Sequence, residues 1–484
     1  MQKAKNKQGI MVVIAAMSIQ FTLGIAYLWT LFQTGVTHEL FGGDDYNHLA
    51  ALTFSILLFL LTIGSVFGGK LAIKLSSTRI VVFVGGIILS LGFLLSSFVT
   101  SNAPWLLWIT YGLMGGMGMG FTYSTTIACA QKWYPHKKGL ISGIIVSALG
   151  FGGVVFMPII MLILGAFGEP NMAVYGNPIM GGEQTTFWIL SIVFFVICSI
   201  GSLFLKHPPK IEESMSDQTT IETNDAAAPP LNEAVLADKA SEIAIASKPS
   251  DNSYCQTPAD YSATQMLKSI KFYLIMFTFL MAVIGGQMMI AFIRPIEILT
   301  EFDNTMMIGG LALSIGVLVL SACNSGGRLL WGIICDKIGR INTIIILLTA
   351  SGALFLLVGL AMGTWVIFVM AALIGLMYGG ILSVFPTLTA ETFGSKNMAT
   401  NYGFVLLGFG IGAIASSQIG GIFANRARYY GNANYMFYAF IIGAACAAVG
   451  IGLMVILKFI AKKKNAPPSV QEESELTDNA THSS

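Results

Sequence analysis

Charge is what this sequence has least of. Of its 484 residues 10% are charged and 55% are hydrophobic, against roughly one quarter charged in a soluble domain. That deficit excludes a soluble globular enzyme, and with a net charge of only +2 no nucleic-acid partner is expected. Cysteine is scarce as well. Cys129, Cys198, Cys255, Cys323, Cys335 and Cys446 lie mostly in or beside apolar runs without metal-ligand spacing, which leaves neither a disulfide framework nor a cysteine-based metal site. They read as small packing residues. Acids are missing from the apolar runs: 14 of the 24 fall within 207–268 or 465–484, the rest sit in loops or at run ends, and none is placed at mid-membrane. Catalytic patterns fail too. Gly64 to Lys70 has the spacing of a phosphate loop, but Leu71 replaces the magnesium-binding hydroxyl, and His38-Glu39 begins a zinc-protease pattern whose second histidine position holds Gly42. No catalytic residue, metal or cofactor is expected, and the chain is not read as an enzyme.

What the sequence has is apolar length. Runs of about 20 residues, each enough to cross a hydrocarbon core of roughly 30 Å, recur about twelve times. They lie near 10–33, 49–69, 80–100, 104–128, 139–166, 185–205, 271–293, 307–331, 341–361, 364–389, 399–424 and 434–458. Lys3, Lys70, Arg79, Lys132, Lys138, Lys206, Lys268, Lys337, Arg340, Lys458 and their neighbours fall on one side of the alternating map. Arg294, Arg426 and Arg428 alone fall on the other. Cations favour the cytoplasmic side, so both termini are expected there, in a multi-pass protein of the plasma membrane. The first run is too long for a signal peptide and no small-residue cleavage site follows it. Residues 207–268 and 465–484 are polar and rich in Ala, Pro, Ser, Thr and acids, a composition that cannot offset the entropy of ordering. The expected organisation is a six-helix half over 1–206, a disordered cytoplasmic linker over 207–268, a second six-helix half over 269–464 and a disordered tail over 465–484.

The halves repeat with a period of roughly 260 residues. Gly69-Lys70-Leu71-Ala72 with Arg79 follows the second run as Gly332 to Arg340 follows the eighth. Trp133 to Gly139 precedes a glycine-studded helix, as Thr392 to Asn397 does in the second half. Gly115-Gly116-Met117-Gly118-Met119-Gly120 and Gly408-Phe409-Gly410-Ile411-Gly412 suit close helix approach in lipid. Parallel repeats with a site at their interface are a transporter arrangement in which the halves rock.

Arg328 is the residue that most needs a reason. Counting inward from Ile308 at 1.5 Å per residue puts it roughly 30 Å along its helix, near the inner surface, where a snorkelling arginine is ordinary. Asn324 lies one turn earlier on the same face, and Gly326 and Gly327 leave the guanidinium room. Its planar fork suits a carboxylate, so ligand binding and inner-edge anchoring both stand. Tyr27, Trp29, Thr30 and Gln33, then Tyr123, Ser124 and Thr125, then Gln287, Tyr378 and Ser383 supply aromatic, hydroxyl and amide groups within the runs. Together they can line a small polar cavity, but any one of them is more often an interhelical hydrogen-bonding group or an interface aromatic, so only their convergence counts.

Gly332, Asp336, Lys337, Gly339 and Arg340 form the loop signature G-x-x-x-D-[KR]-x-G-R of the major facilitator superfamily. With Gly24 to Phe32, Lys132 to Gly139, Phe385 to Gly394 and Asn401-Tyr402-Gly403, the chain resembles the oxalate/formate antiporter branch of that superfamily, a relative of the monocarboxylate transporters. The resemblance implies an all-α membrane fold of twelve helices in two pseudo-symmetric halves. It also implies that Arg328, four residues before the loop glycine, pairs with a substrate carboxylate, that Tyr27, Tyr123 and Tyr378 wall the cavity beside Asn324, and that the loop from Gly332 to Arg340 gates it. Three departures matter. The lysine that oxalate exchangers of this branch carry on the eleventh span is missing from Tyr402 to Ile422; Asn324 and Leu31 stand where proton-moving monocarboxylate transporters have an aspartate and a lysine; and Ile73 replaces the aspartate of the first-half loop. The expected function is transport of a small carboxylate, a monocarboxylate such as formate, lactate or pyruvate, by exchange or with a proton, in a monomer surrounded by lipid. The alternatives are an oxalate/formate exchanger and a transporter-like receptor without flux.

Overall fold

In a computed structural model the described residues are 2–42, 47–167, 182–208, 260–299, 305–308 and 311–464. Eleven of the described helices are long and apolar enough to cross a bilayer. In the first half α1 (Gln2–Leu23) tightens into a 3-10 turn at Gly24–Leu28 and resumes as α2 (Trp29–Phe41). It is followed by α3 (Asn47–Lys74), α4 (Thr78–Ser96), α5 (Gly116–Gln131), α6 (Lys138–Phe167) and α7 (Glu183–Phe204). The fourth crossing is a composite, because a π-helical stretch, Trp108–Gly115, runs directly into α5. At 1.5 Å per residue 108–131 reaches about 36 Å, enough for the hydrocarbon core. A short helix, α8 (Ala263–Leu267), opens the second half. Then come α9 (Ile270–Leu299), α10 (Ile315–Ile338), α11 (Arg340–Ala361), α12 (Val366–Phe393), α13 (Met398–Tyr430) and α14 (Asn434–Lys464). The twelve crossings expected from hydropathy are therefore present.

The eighth crossing starts later than its apolar run. Residues expected to begin that helix at 307 instead pair as β1 (Thr305–Ile308) with β2 (Leu311–Ser314), antiparallel, Ile308 opposite Leu311. Gly309 and Gly310 intervene in the sequence, the residue type that two-residue hairpin connections favour. Hydropathy alone cannot separate a short apolar strand from the first turns of an apolar helix.

Aromatic rings fill the first half: Tyr111 stands 4.7 Å from Trp29, 4.9 Å from Phe93 and 5.6 Å from Phe187. In the second, Phe279 stacks on Phe385 at 4.1 Å. The halves meet along two seams, α3 on α13 and α6 on α10. Lipid tails are as apolar as leucine, so helices here are held by close packing. At the α6/α10 seam backbones nearly touch: a Cβ on Gly143 would stand 2.7 Å from the Arg328 carbonyl oxygen, and one on Gly332 would stand 2.9 Å from the Gly143 Cα.

The α6 start, the α5 end, the α1 start and the α14 end share one face, here called the base. Gly9 meets Tyr134 beyond α5, Asp336 meets the start of α6, and Lys458 donates to Asn342 Oδ1 at 2.8 Å. Residues 260–268, assigned by composition to the linker, are folded against the base. The Ser262 hydroxyl accepts the Gln265 N–H while Gln265 Oε1 accepts the Ser262 N–H, a capping box for α8, and Met266 is fully buried. The remainder of the expected linker, 209–259, and the tail over 465–484 lie outside the described residues.

Gly326 and Gly327 differ in a testable way. Open space surrounds a Cβ added at Gly326, whereas one at Gly327 would collide with the Leu376 carbonyl oxygen on α12. Gly327→Ala is expected to cost about 1–3 kcal/mol through overpacking and to lower the thermal unfolding midpoint in detergent, with Gly326→Ala unchanged.

Candidate functional site

Between the halves lies a small cavity of about 30 Å³, above the roughly 10–15 Å³ that one water needs. Its walls come from both sides: Leu58 and Met119 from the first half, Leu382, Leu406 and Phe409 from the second. Tyr123 and Arg328 are its polar lining residues, and Arg328 is the one charged side chain among those described.

Arg328 is fully buried, and its Nη1 donates to the Val146 carbonyl on α6 of the opposite half at 2.8 Å. The inner-surface position expected from counting is corrected here. Because Thr305–Ile308 and Leu311–Ser314 pair as strands, α10 begins at Ile315 and ends at Ile338, which puts Arg328 roughly 20 Å from the outer end and 15 Å from the base end. A side chain at that depth without exposure does not snorkel. The guanidinium therefore belongs to the cavity and not to the membrane edge.

The other expected site residues divide. Tyr123 lines the cavity, with its ring 6.2 Å from that of Tyr402 on α13. Asn324 is buried one turn further from the base, against Gly379 of α12; it is not a lining residue, and its Nδ2 has no hydrogen bond among the described residues. Tyr378 is turned away: its hydroxyl donates to Gln287 Oε1 at 2.7 Å and its ring covers Gly286, so it braces α12 against α9. Placing it in the cavity wall is corrected accordingly. The Tyr27 side chain lies outside the described residues, although its neighbour Ala26 lines the cavity. What sequence reasoning missed is the apolar wall and the Val146 carbonyl. Leucines in spans look alike until packing sorts them, and a backbone acceptor has no residue-type signal.

Toward the base, Asp336 reaches across the seam. Its Oδ1 accepts the Gly139 N–H at 3.0 Å and its Oδ2 the Leu140 N–H at 2.9 Å. The first N–H groups of a helix lack intrahelical partners and carry partial positive charge, so this carboxylate caps α6 from the other half of the protein. Arg340 holds it at 2.7 Å and itself contacts Glu391 at 3.0 Å. Gly339 begins α11 with φ of +86°, a conformation that glycine adopts without strain. Lys337 points outward, and Cys335 is fully buried under Gly139. The seam at the base is thus closed. On the pseudo-symmetric side Ile73, 48% exposed, replaces the aspartate, and the Lys70 ammonium sits 5.5 Å from the Phe404 ring centroid instead.

The family model described as Major Facilitator Superfamily matches residues 9–329 and 275–481. An uncharacterized MFS-type transporter of Escherichia coli strain K12, YhjX, is 28% identical over 409 residues, covering 83% of this chain and 85% of that protein. The oxalate:formate antiporter of Oxalobacter formigenes is 25% identical over 419 residues, covering 84% and 85%. Among solved structures, the Escherichia coli fucose:proton symporter FucP aligns with a TM-score of 0.60 at 15% identity, over 93% of this chain and 99% of that one. At that identity the likeness speaks for the fold.

Capping by Asp336 makes a measurable claim on the closed seam. Asp336→Asn sets an amide N–H where a backbone N–H now donates and removes the ion pair to Arg340. Modification of the buried Cys335 thiol by N-ethylmaleimide, quantified by peptide mass spectrometry, is expected to accelerate on the order of tenfold, the weight of one charge-assisted hydrogen bond.

Proposed function

Because this chain belongs to the Major Facilitator Superfamily, we propose that it is a secondary active transporter of a small organic monocarboxylate, working by alternating access around the cavity of Arg328. One observation carries the reading: a single fixed positive charge in an otherwise apolar chamber between the halves. The guanidinium fork matches a carboxylate bidentately, and leucine, methionine and phenylalanine walls suit the small body of formate, lactate or pyruvate once the halves part enough to widen the chamber of about 30 Å³. Tyr123 offers a hydroxyl beside it, with Tyr27 and Asn324 as flanking candidates on the first and eighth crossings.

A second carboxylate would enter this chamber without a counter-charge, because the α13 residues facing it are Leu406 and Phe409. Its desolvation costs several kcal/mol even after relaxation. Oxalate is therefore disfavoured. The oxalate:formate antiporter, similar along most of both chains, keeps oxalate/formate exchange as the second reading. No acid lines the described cavity, so exchange, or movement of a proton on the substrate itself, is favoured over a dedicated carboxylate relay. The cation-rich base faces the cytoplasm by the positive-inside rule, in the plasma membrane.

The geometry supports the following cycle. With the base seam closed, the chamber is shut off from the base. Substrate pairing draws the Arg328 guanidinium toward the carboxylate, and rocking of the halves parts α6 from α10 and α3 from α13. Asp336 then leaves the α6 start, and the chamber opens to the base.

Counterflow in proteoliposomes tests this. Exchange of formate, lactate or pyruvate is expected to exceed that of oxalate, and Arg328→Lys, which keeps the charge without the fork, should insert normally yet lose at least about tenfold in rate, the value of a hydrogen bond to a charged group. Tight, saturable oxalate exchange would overturn the monocarboxylate assignment. Wild-type kinetics in Arg328→Lys would remove Arg328 from the site.

A further inference from the structure

The two seams are closed by different means at the base. On α6/α10 a carboxylate in the last turn of α10, Asp336, reaches the start of α6. On α3/α13 the equivalent loop offers Ile73, which has no oxygen to give. The turn before α13 is held nevertheless, and the residues that hold it come from the chain segment leading into α8. Asp260 Oδ1 accepts the Lys396 N–H at 3.0 Å. The Tyr261 carbonyl accepts from both Asn397 Nδ2 at 2.9 Å and Asn401 Nδ2 at 3.1 Å, and the Tyr261 N–H donates to the Phe393 carbonyl at 3.0 Å. The Tyr261 ring meets that of Phe393 edge-on at 5.7 Å. Gly394 has φ of +85°, and a Cβ there would collide with Asp260 Oδ1, so the turn is shaped to accept this carboxylate.

The turn so fixed, Gly394 to Asn397, carries a contact between the halves. Lys138, at the start of α6 in the first half, donates its ammonium to the Ser395 hydroxyl at 2.8 Å. The carboxylate also acts on the first half directly. Burial pushes the Lys132 ammonium, just past α5, below the usual lysine range, and Asp260 is among the negative groups that oppose that loss. Five hydrogen bonds and one ring contact thus run from α6 through the turn to residues 260–261.

We infer that Asp260 and Tyr261 are positioning residues of the transport cycle: they form a clasp, supplied by the linker, that sets the Gly394–Asn397 turn where it receives Lys138 and so keeps the base closed, in place of the carboxylate that Ile73 does not provide. The inference rests on the alternating-access reading for its purpose. It assigns the end of the linker a mechanical part, since any displacement of the chain entering at Asp260 shifts the balance between closed and open base.

The test uses the full-length protein without substrate. N-ethylmaleimide modification of Cys335 under Gly139, followed by peptide mass spectrometry, reports opening of the base. Asp260→Ala is expected to raise its rate roughly two- to tenfold, the net worth of one hydrogen bond. Lys138→Ala should do the same, and the double variant should add little to either, because the two act through one turn. Asp260→Asn, which keeps an acceptor oxygen for Lys396, should give a smaller rise. If Asp260→Ala assembles poorly, Asn397→Ala removes one bond to the Tyr261 carbonyl and is expected to raise the rate in the same direction. A wild-type rate in Asp260→Ala, or in Asn397→Ala where that variant is used, overturns the clasp. Failure of the transport reading shows separately, as absent counterflow in the wild type.

Discussion

A guanidinium removed from water near the middle of a membrane helix is the constraint on which the rest of this structure depends. Such a charge is tolerated only where the surroundings meet it with polar atoms. Here an atom of the opposite half does so: the Val146 carbonyl on α6 accepts from Arg328. The chamber around them is otherwise apolar, which strengthens any interaction the guanidinium makes by lowering the local dielectric. A ligand that brings one negative charge relieves the site, and one that brings two creates a second problem. The proposed preference for one carboxylate over two rests on that burial.

The close seams follow from that need. For the Val146 carbonyl to reach Arg328 the backbones of α6 and α10 must nearly touch, which is why Gly143 and Gly332 stand where they do. Backbone approach of this kind is the attraction that membrane helices have in place of a hydrophobic drive. It is also bistable, since a packed glycine seam is either engaged or parted. Asp336 joins in only when the seam is shut, because the N–H groups it caps belong to the other half. The buried guanidinium and the capping carboxylate thus belong to a single pair of helices, with Arg328 and Asp336 two turns apart on α10.

Much of this was legible in the sequence, and the failures have physical reasons. Apolar runs located all twelve crossings because backbone polar groups in lipid must be satisfied within the span. The fourth needed its π-helical entry to reach full length. Asp336 was found through the loop signature of the superfamily, while its partners, the first N–H groups of α6, carried no sequence signal. Arg328 was found as a residue but misplaced in depth, since the run 305–314 is apolar in either a strand or a helix and only the strand moves the helix start to Ile315. Tyr378 was readable as a buried hydroxyl but not as one aimed at Gln287, because facing is set by helix rotation and one residue of phase turns a side chain away. The wall of Leu58, Leu382, Leu406 and Phe409 had no distinguishing signal among many leucines. Asp260 sat in a segment whose average composition describes disorder, and an average hides a docked end.

The π-helical stretch at Trp108–Gly115 bears on how such a chamber can be retuned. A wide turn holds one residue more than an α-helical turn over the same path, so it resets the angular phase of everything that follows. Within the wide turn Tyr111 points into the ring cluster of Trp29, Phe93 and Phe187; beyond it Met119 and Tyr123 line the chamber. Aim and anchorage are therefore separable in this crossing. The wide turn thereby holds the chamber-facing set at a phase one residue out of step with an uninterrupted α-helix.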